Sequence, residues 1–227
     1  MQESRQARVA GEAYVRLARF ARSRSWLRYA LYRCSRIAFT CYSRKELLMI
    51  IETKRLILRT IEQSDSEMYL QYLNQNKKFL EEWEPKREES DYSIKKIESQ
   101  INDETVKMLD KKSYLFLILN KTSGEIIGTI KISSIILGPF QSCYLGYKLS
   151  DANINNGFMT EAVLAIKDYC FKDLGLHRIE ANVMPRNVRS QKVLMKAGFI
   201  YEGISKKYLK INGVWEDHEH YVILNED

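Results

Sequence analysis

The sequence predicts a mixed α/β fold, one twisted mixed sheet of about seven strands with helices on both faces. Three observations predict it. Apolar residues recur with a period of two in some segments and near 3.6 in others, in the order β-α-α-β-β-β-α-β-α-β-β. A short polar link containing Gly124 joins two apolar runs, which is hairpin chemistry. A later strand leaves through "NINNGFMTEA", a loop that contracts to Gly157 and opens a helix. With 227 residues and 45% apolar composition, the chain can bury one sizeable core, and its length allows one domain plus an appendage.

In chain order, "TKRLILRTI" alternates Arg55, Ile57 and Arg59 with Leu56, Leu58 and Thr60, so a half-buried strand is expected over 53–60. Ser64 followed by Glu67 reads as a capping box ahead of "MYLQYLNQN". Ser90 precedes a second helix with Ile94, Ile97 and Ile101 at helical spacing. "SYLFLILN" and "IIGTIKISSIIL" form the antiparallel pair, and after the break at Gly138-Pro139 "SCYLGYKL" is the fourth strand. A helix over 158–174, the strand "RIEANVM", a helix over 188–197 and two strands near 200–209 and 214–224 complete the order. There are no internal repeats.

The net charge of +7 suggests nucleic acid until its position is considered. Residues 1–48 hold ten Arg and Lys45 against Glu3, Glu12 and Glu46. The remaining 179 residues hold 25 basic and 26 acidic side chains. The later part is therefore neutral, and direct nucleic-acid binding is expected only if residues 1–48 belong to the native protein. Basic usage also changes from Arg to Lys at that boundary. Lys45-Glu46 can be encoded by a bacterial ribosome-binding sequence two codons ahead of Met49, so the expectation is that Met49 is the native start and 49–227 the domain. A transit leader or a basic arm for RNA or anionic lipid are the rivals. No run of about 18 apolar residues predicts a membrane-spanning helix. Cys34, Cys41, Cys143 and Cys170 form no CxxC pair, which suggests reduced thiols in a cytoplasmic protein.

A loop leaving a strand and starting a helix points backbone N–H groups outward, and the helix dipole adds positive potential there. Its natural guest is a phosphate, although most such loops are simply turns. The neighbouring motifs sharpen the reading. "CYLGYKL", "GFMTEA", "LGLHRIEANVMPRNVRSQKVLMKAGFIYEG" and "YLKINGVWEDH" together resemble the GNAT acetyltransferase superfamily, and within it the RimJ/RimL-type ribosomal-protein N-terminal acetyltransferases. "NKKFLEEWEP" and "GPFQSCYLGY" resemble the RimJ side of it. The likeness covers nearly all of 50–224 and none of 1–48.

The resemblance implies a sheet splayed between the fourth and fifth strands and acetyl-CoA as co-substrate, with no metal. It implies that Tyr144, Leu145, Gly146, Tyr147, Lys148 and Leu149 offer main-chain groups to the pantetheine arm. Ile154, Asn155, Asn156 and Gly157, with Phe158, Met159 and Thr160, would cradle the pyrophosphate. Two positions depart from the family pattern: Ile154 replaces a basic or Gln residue, and Asn155 replaces the first glycine. Asn tolerates positive φ better than most residues, so the turn can form at a cost of about 1 kcal/mol. Asn187 and Ser190 match the family's Asn-x-x-Ser, which implies a cofactor contact for Asn187 and, for Ser190, the return of a proton to the departing thiolate. Read alone, Asn187 is a favoured helix cap and Ser190 an ordinary first-turn residue.

Candidate general bases are Glu84 in "WEP", Glu180 on the fifth strand and Asp217 in "WEDH". Each also fits an ordinary salt-bridged carboxylate. Tyr144 and Tyr208 are further proton donors by type, or packing residues. His218 and His220 share one strand face, but no third ligand stands at a metal spacing. His177 reads as structural, and Cys143 as a small buried residue, because direct aminolysis needs no protein nucleophile. Trp83 and Trp215 would wall a cleft or fill core. The expected reaction is transfer of acetyl from acetyl-CoA to a primary amine, first the α-amine of a ribosomal protein beginning with Ala or Ser. A small amine such as a polyamine, aminoglycoside or amino acid is the alternative within enzymes. A catalytically decayed ribosome- or RNA-binding protein is the alternative outside them. A monomer or a homodimer is compatible with the sequence.

Overall fold

Leu56, Leu58 and Thr60 are buried and Ile57 and Arg59 half-buried, the alternation of a strand with one covered face. They form β2 (Leu56–Thr60), paired antiparallel with β1 (Ile50–Glu52) and with β3 (Tyr114–Asn120). The computed structural model describes residues 48–226; the expectations for the Arg-rich segment before Met49, Cys34 and Cys41 included, fall outside them. The first expected strand begins later than its alternation suggests. Thr53 N–H donates to the Leu56 carbonyl and Arg55 N–H to the Glu161 carboxylate, which makes a turn of that stretch.

Helix α1 (Ser66–Leu80) and helix α2 (Ile94–Leu109) follow β2. The predicted box of Ser64 and Glu67 does not form. Asp65 is instead gripped by the Arg59 guanidinium through bonds of 2.6 and 2.7 Å and also accepts from Glu62 N–H, so the capping box is Glu62–Asp65. A local sequence match loses here to a charge pair reaching across from the strand. Helix α2 opens at Ser93 rather than Ser90, with Ile97 and Ile101 buried and Ile94 at the surface.

β3 is central. Phe116, Leu117 and Ile118 are all fully buried, each burial worth about 1.5–3 kcal/mol. Leu117 packs with Tyr69, Tyr72, Leu73, Ile97 and Ile101 of α1 and α2. Phe116, on the opposite face, meets Tyr169 of α3 (Phe158–Lys172) edge to face at 5.8 Å. Helices therefore cover both faces. β4 (Ile126–Ile136), β5 (Ser142–Leu149), β6 (Arg178–Val183), helix α4 (Val188–Lys196), β7 (Ile200–Ile211) and β8 (Val214–Leu224) complete the chain. The sheet order is β1-β2-β3-β4-β5-β6-β8-β7, eight strands rather than the expected seven because Ile50–Glu52 adds an edge. Among the described residues no helix is long and apolar enough to cross a membrane.

One junction matters most for function. β5 and β6 are the parallel pair, and they are in register only at Ser142/Arg178, Cys143/Ile179 and Tyr144/Glu180. Beyond Tyr144, β5 keeps β4 as its partner and β6 keeps β8, so two facing strand edges diverge and leave ladder groups unpaired between them.

Candidate active site

The wedge between β5 and β6 opens into a cleft of about 320 Å³, within the usual range for a small-molecule site. Its walls are the end of β5 (Tyr147, Lys148, Leu149), the loop and first turn of α3 (Ile154, Asn155, Gly157, Phe158, Met159, Thr160), α4 (Arg189, Ser190, Lys192, Val193, Lys196) with its cap Asn187, and the end of α1 (Phe79, Leu80) with Trp83 in the turn beyond it.

The loop takes its shape from two left-handed residues, Asn155 at φ 62° and Gly157 at φ 75°. The turn thus survives the loss of the first glycine. Among the described hydrogen bonds, the backbone N–H groups from Asn155 to Thr160 find no protein acceptor, so they are open to an anion at the N-terminus of α3. Arg55 holds the loop from outside. Its Nη1 donates to the Asn156 carbonyl at 2.9 Å, its guanidinium lies 4.5 Å from the Phe158 ring centre, and its Nε donates to Glu161 at 2.7 Å. Glu161 also accepts from Thr53 Oγ1 and Arg55 N–H. Burial alone would raise the Glu161 pKa, but these donors hold it below the usual carboxylate range.

Asn187 caps α4, its Oδ1 accepting from Ser190 N–H at 3.2 Å. The Ser190 hydroxyl lies 2.8 Å from the hydroxyl of Tyr147, which also reaches the Ser190 carbonyl at 3.2 Å. Burial pushes the Tyr147 pKa well up, so that phenol stays neutral and keeps its proton. Two hydroxyls from distant parts of the chain thus form a hydrogen-bonded pair on the cleft wall.

The three candidate bases lie in different surroundings. Glu84 is bound on both oxygens, by Lys148 at 2.7 Å and Arg87 at 3.1 Å; burial opposes its ionisation, yet these cations leave its pKa lowered. Asp217 lies on the β7–β8 hairpin, bound to the Lys206 ammonium and Lys207 N–H, which lower its pKa. Neither of these carboxylates, nor Glu180, is part of the cleft lining. Glu180 stands opposite Tyr144 at the last paired position of the wedge. Its Oε2 takes a 3.2 Å bond from Arg178, and its Oε1 lies 3.5 Å from His220 Nδ1. His220 Nε2 is 2.7 Å from Ser205 Oγ, and Tyr208 packs against both His218 and His220. The Tyr144 pKa is raised by burial, then by Glu180 and Tyr208 beside it. By the alternation of β5, Tyr144 and Lys148 lie on one face of the sheet and Cys143 and Tyr147 on the other. Glu180 thus faces away from Ser190.

The chain matches the family model described as "Acetyltransferase (GNAT) domain" over residues 55–200. It belongs to the GNAT acetyltransferase family. It is 40% identical to the "Probable N-acetyltransferase YjcK" of Bacillus subtilis, with 78% of this chain and 98% of that one aligned. To the "[Ribosomal protein uS5]-alanine N-acetyltransferase" of Escherichia coli it is 34% identical, covering 74% of this chain and 87% of the relative. A solved ribosomal-protein-S5-alanine acetyltransferase from Vibrio fischeri superposes with TM-score 0.75 at 35% identity over 79% of this chain and 98% of that chain. The Mycobacterium smegmatis RimJ structure, a complex with CoA-disulfide, gives 0.73 at 27% over 79% and 87%.

This GNAT acetyltransferase brings together in the cleft Tyr147, Lys148, Leu149, Ile154, Asn155, Gly157, Phe158, Met159, Thr160, Asn187 and Ser190 of the residues expected from sequence. Tyr144, Leu145, Gly146 and Asn156 lie outside its lining: Leu145 is core, Tyr144 faces Glu180, and Asn156 is spent on the Arg55 clamp and on Ile154 O. Sequence reasoning included Phe79 and Leu80 in the "NKKFLEEWEP" motif but gave them no site role. It missed Arg189, Lys192 and Lys196, whose spacing of three and four residues was a readable sign of one charged helix face.

Proposed function

We propose that the chain transfers the acetyl group of acetyl-CoA to the N-terminal α-amine of a protein, a ribosomal protein being the first class to test. The observation that carries the proposal is the divergence of β5 and β6 after Tyr144 and Glu180. An extended amide arm can add to the free edge of β5 from Leu145 to Leu149 as a further strand would. The phosphates then meet the open N–H groups of 155–160, and the thioester lies at the apex of the wedge. The amine attacks the thioester carbonyl directly from the Glu180 face. Main-chain donors of β5 stabilise the oxyanion, usually the largest contribution in acyl transfer. Ser190 gives its proton to the departing thiolate and is reprotonated from solvent, while the neutral Tyr147 phenol, hydrogen-bonded to it, orients the hydroxyl. Glu180, the one of the three acids at the last paired position of the wedge, takes the amine proton.

The demand on that base supports an α-amine. An α-amine with pKa near 8 is about 10% neutral at pH 7, whereas a lysine side chain is below about 0.1% neutral. A single carboxylate at the apex suffices for the first. Two further findings point the same way: the E. coli and V. fischeri relatives are named as ribosomal-protein alanine acetyltransferases, and the M. smegmatis RimJ carries CoA. The test follows free thiol release by the full chain from acetyl-CoA, with peptides beginning in Ala or Ser, the same peptides with blocked N-termini, polyamines, aminoglycosides and free amino acids. Turnover of the open peptides alone is expected. Turnover confined to a small amine would replace the protein acceptor.

A further inference from the structure

The loop that meets the phosphates has shape but no charge of its own. Between Ser150 and Gly157 it carries no cation and one acid, Asp151. The nearest arginine, Arg55, is neutralised by Glu161, and Lys148 in the cleft wall is neutralised by Glu84. The remaining cations of the lining are Arg189, Lys192 and Lys196, and no Asp or Glu lines the cleft.

We propose that the face of α4 formed by Arg189, Lys192 and Lys196 is a binding subsite for the ribose phosphomonoester of coenzyme A, and that it makes this chain select coenzyme A over its dephospho form. The inference rests on the acyl-carrier reading above and adds the source of charge that the loop lacks.

The three residues stand at i, i+3 and i+7, so they share one helix face and span about 10 Å along the axis. An ordinary solvated helix scatters its cations over every exposed position. On α4 every cation lines the cleft, while the exposed positions outside the lining include the apolar Val188 and Met195. Among the described residues none of the three cations forms a salt bridge or hydrogen bond, so their charge is available to a ligand. The ligand chemistry fits two stations. A pyrophosphate is satisfied by backbone N–H groups at a helix N-terminus. A phosphomonoester carries about −1.5 to −2 charges at neutral pH and is better met by flexible ammonium groups and a forked guanidinium. Ser190 and Asn187, at the start of the same helix, serve the thiol end, so successive turns of α4 would follow the ligand from thioester to nucleoside.

The experiment is calorimetric titration of the full chain with coenzyme A and with dephospho-coenzyme A at two salt concentrations, on the wild type and on R189A/K192A/K196A. The wild type is expected to bind coenzyme A about tenfold tighter, the size of one or two exposed charge contacts, with the margin shrinking as salt rises. The triple variant is expected to bind both ligands equally, with dephospho-coenzyme A affinity changed less than about twofold and an unaltered thermal midpoint. Equal wild-type affinities, or a variant that weakens both ligands alike, would overturn the subsite and leave the acyl-carrier reading standing. Failure of the wild type to bind either ligand would overturn both.

Discussion

Replacing Ser190 by Ala separates a structural hydroxyl from one that moves a proton. In the folded chain the Ser190 hydroxyl contacts the Tyr147 hydroxyl at 2.8 Å, and Tyr147 keeps the Ser190 carbonyl as a second acceptor at 3.2 Å. Removing the hydroxyl therefore deletes one hydrogen bond without stranding the phenol. The stability cost should be about 1 kcal/mol. If Ser190 also protonates the leaving thiolate, the loss appears in kcat. General acids contribute about 10²–10⁴-fold, and a thiolate whose conjugate acid has a pKa near 8.5 is already a fair leaving group. The expectation is the lower end, about 10²-fold or roughly 2.7 kcal/mol. The assay is steady-state thiol release with an Ala-initiated peptide, with acetyl-CoA varied and thermal unfolding in parallel. A kcat within about threefold of wild type, with stability lowered as calculated, would refute the catalytic reading and leave Ser190 as a packing partner of Tyr147.

Glu161→Ala removes the group that aims Arg55 at the phosphate loop; KM for acetyl-CoA should rise about tenfold with kcat changed far less, equal to losing one charge-assisted bond after allowance for the exposed Arg55, and an unchanged KM would separate the clamp from binding. Glu180→Gln should lower kcat about 10- to 100-fold while binding of coenzyme A by calorimetry stays within twofold; undiminished turnover would move the base elsewhere. Gly157→Ala places a Cβ 3.5 Å from Arg55 Nη2, an ordinary contact, but at φ 75°, so the backbone penalty of about 1 kcal/mol should appear in thermal stability. Glu84 has a folded-state pKa below its unfolded value. Its pairing with Lys148 and Arg87 is therefore fully stabilising above the ordinary carboxylate pKa and is lost as pH falls through the lowered one. Glu84→Gln should lower stability at neutral pH and flatten its fall in acid, read by denaturant unfolding from pH 7 to pH 3.

What the sequence revealed and what it hid divide along the range of the interactions. The β2 alternation, the Gly124 hairpin and the left-handed pair Asn155 and Gly157 depend on residues close in the chain, and each was readable. β1 was not, because three residues are too short to show a period. The start of α1 was misread because Arg59 claims Asp65 from a neighbouring strand. In the site, the cradle and the Asn187 and Ser190 pair stand in contiguous motifs. The fate of the acids was hidden, since Glu84 is neutralised by Lys148, 64 positions away, and His220 reaches Glu180 across strands. The partnership of Tyr147 with Ser190 was equally hidden, because their elements become neighbours only when the sheet closes.

The central claim is direct transfer at the β5/β6 wedge to an N-terminal amine. Initial velocities over a grid of acetyl-CoA and Ala-initiated peptide concentrations, with fragmentation mass spectrometry of the product, test it most directly. Intersecting reciprocal plots with the acetyl group on the terminal nitrogen are predicted. Parallel plots, or acetyl on a lysine side chain, would contradict it.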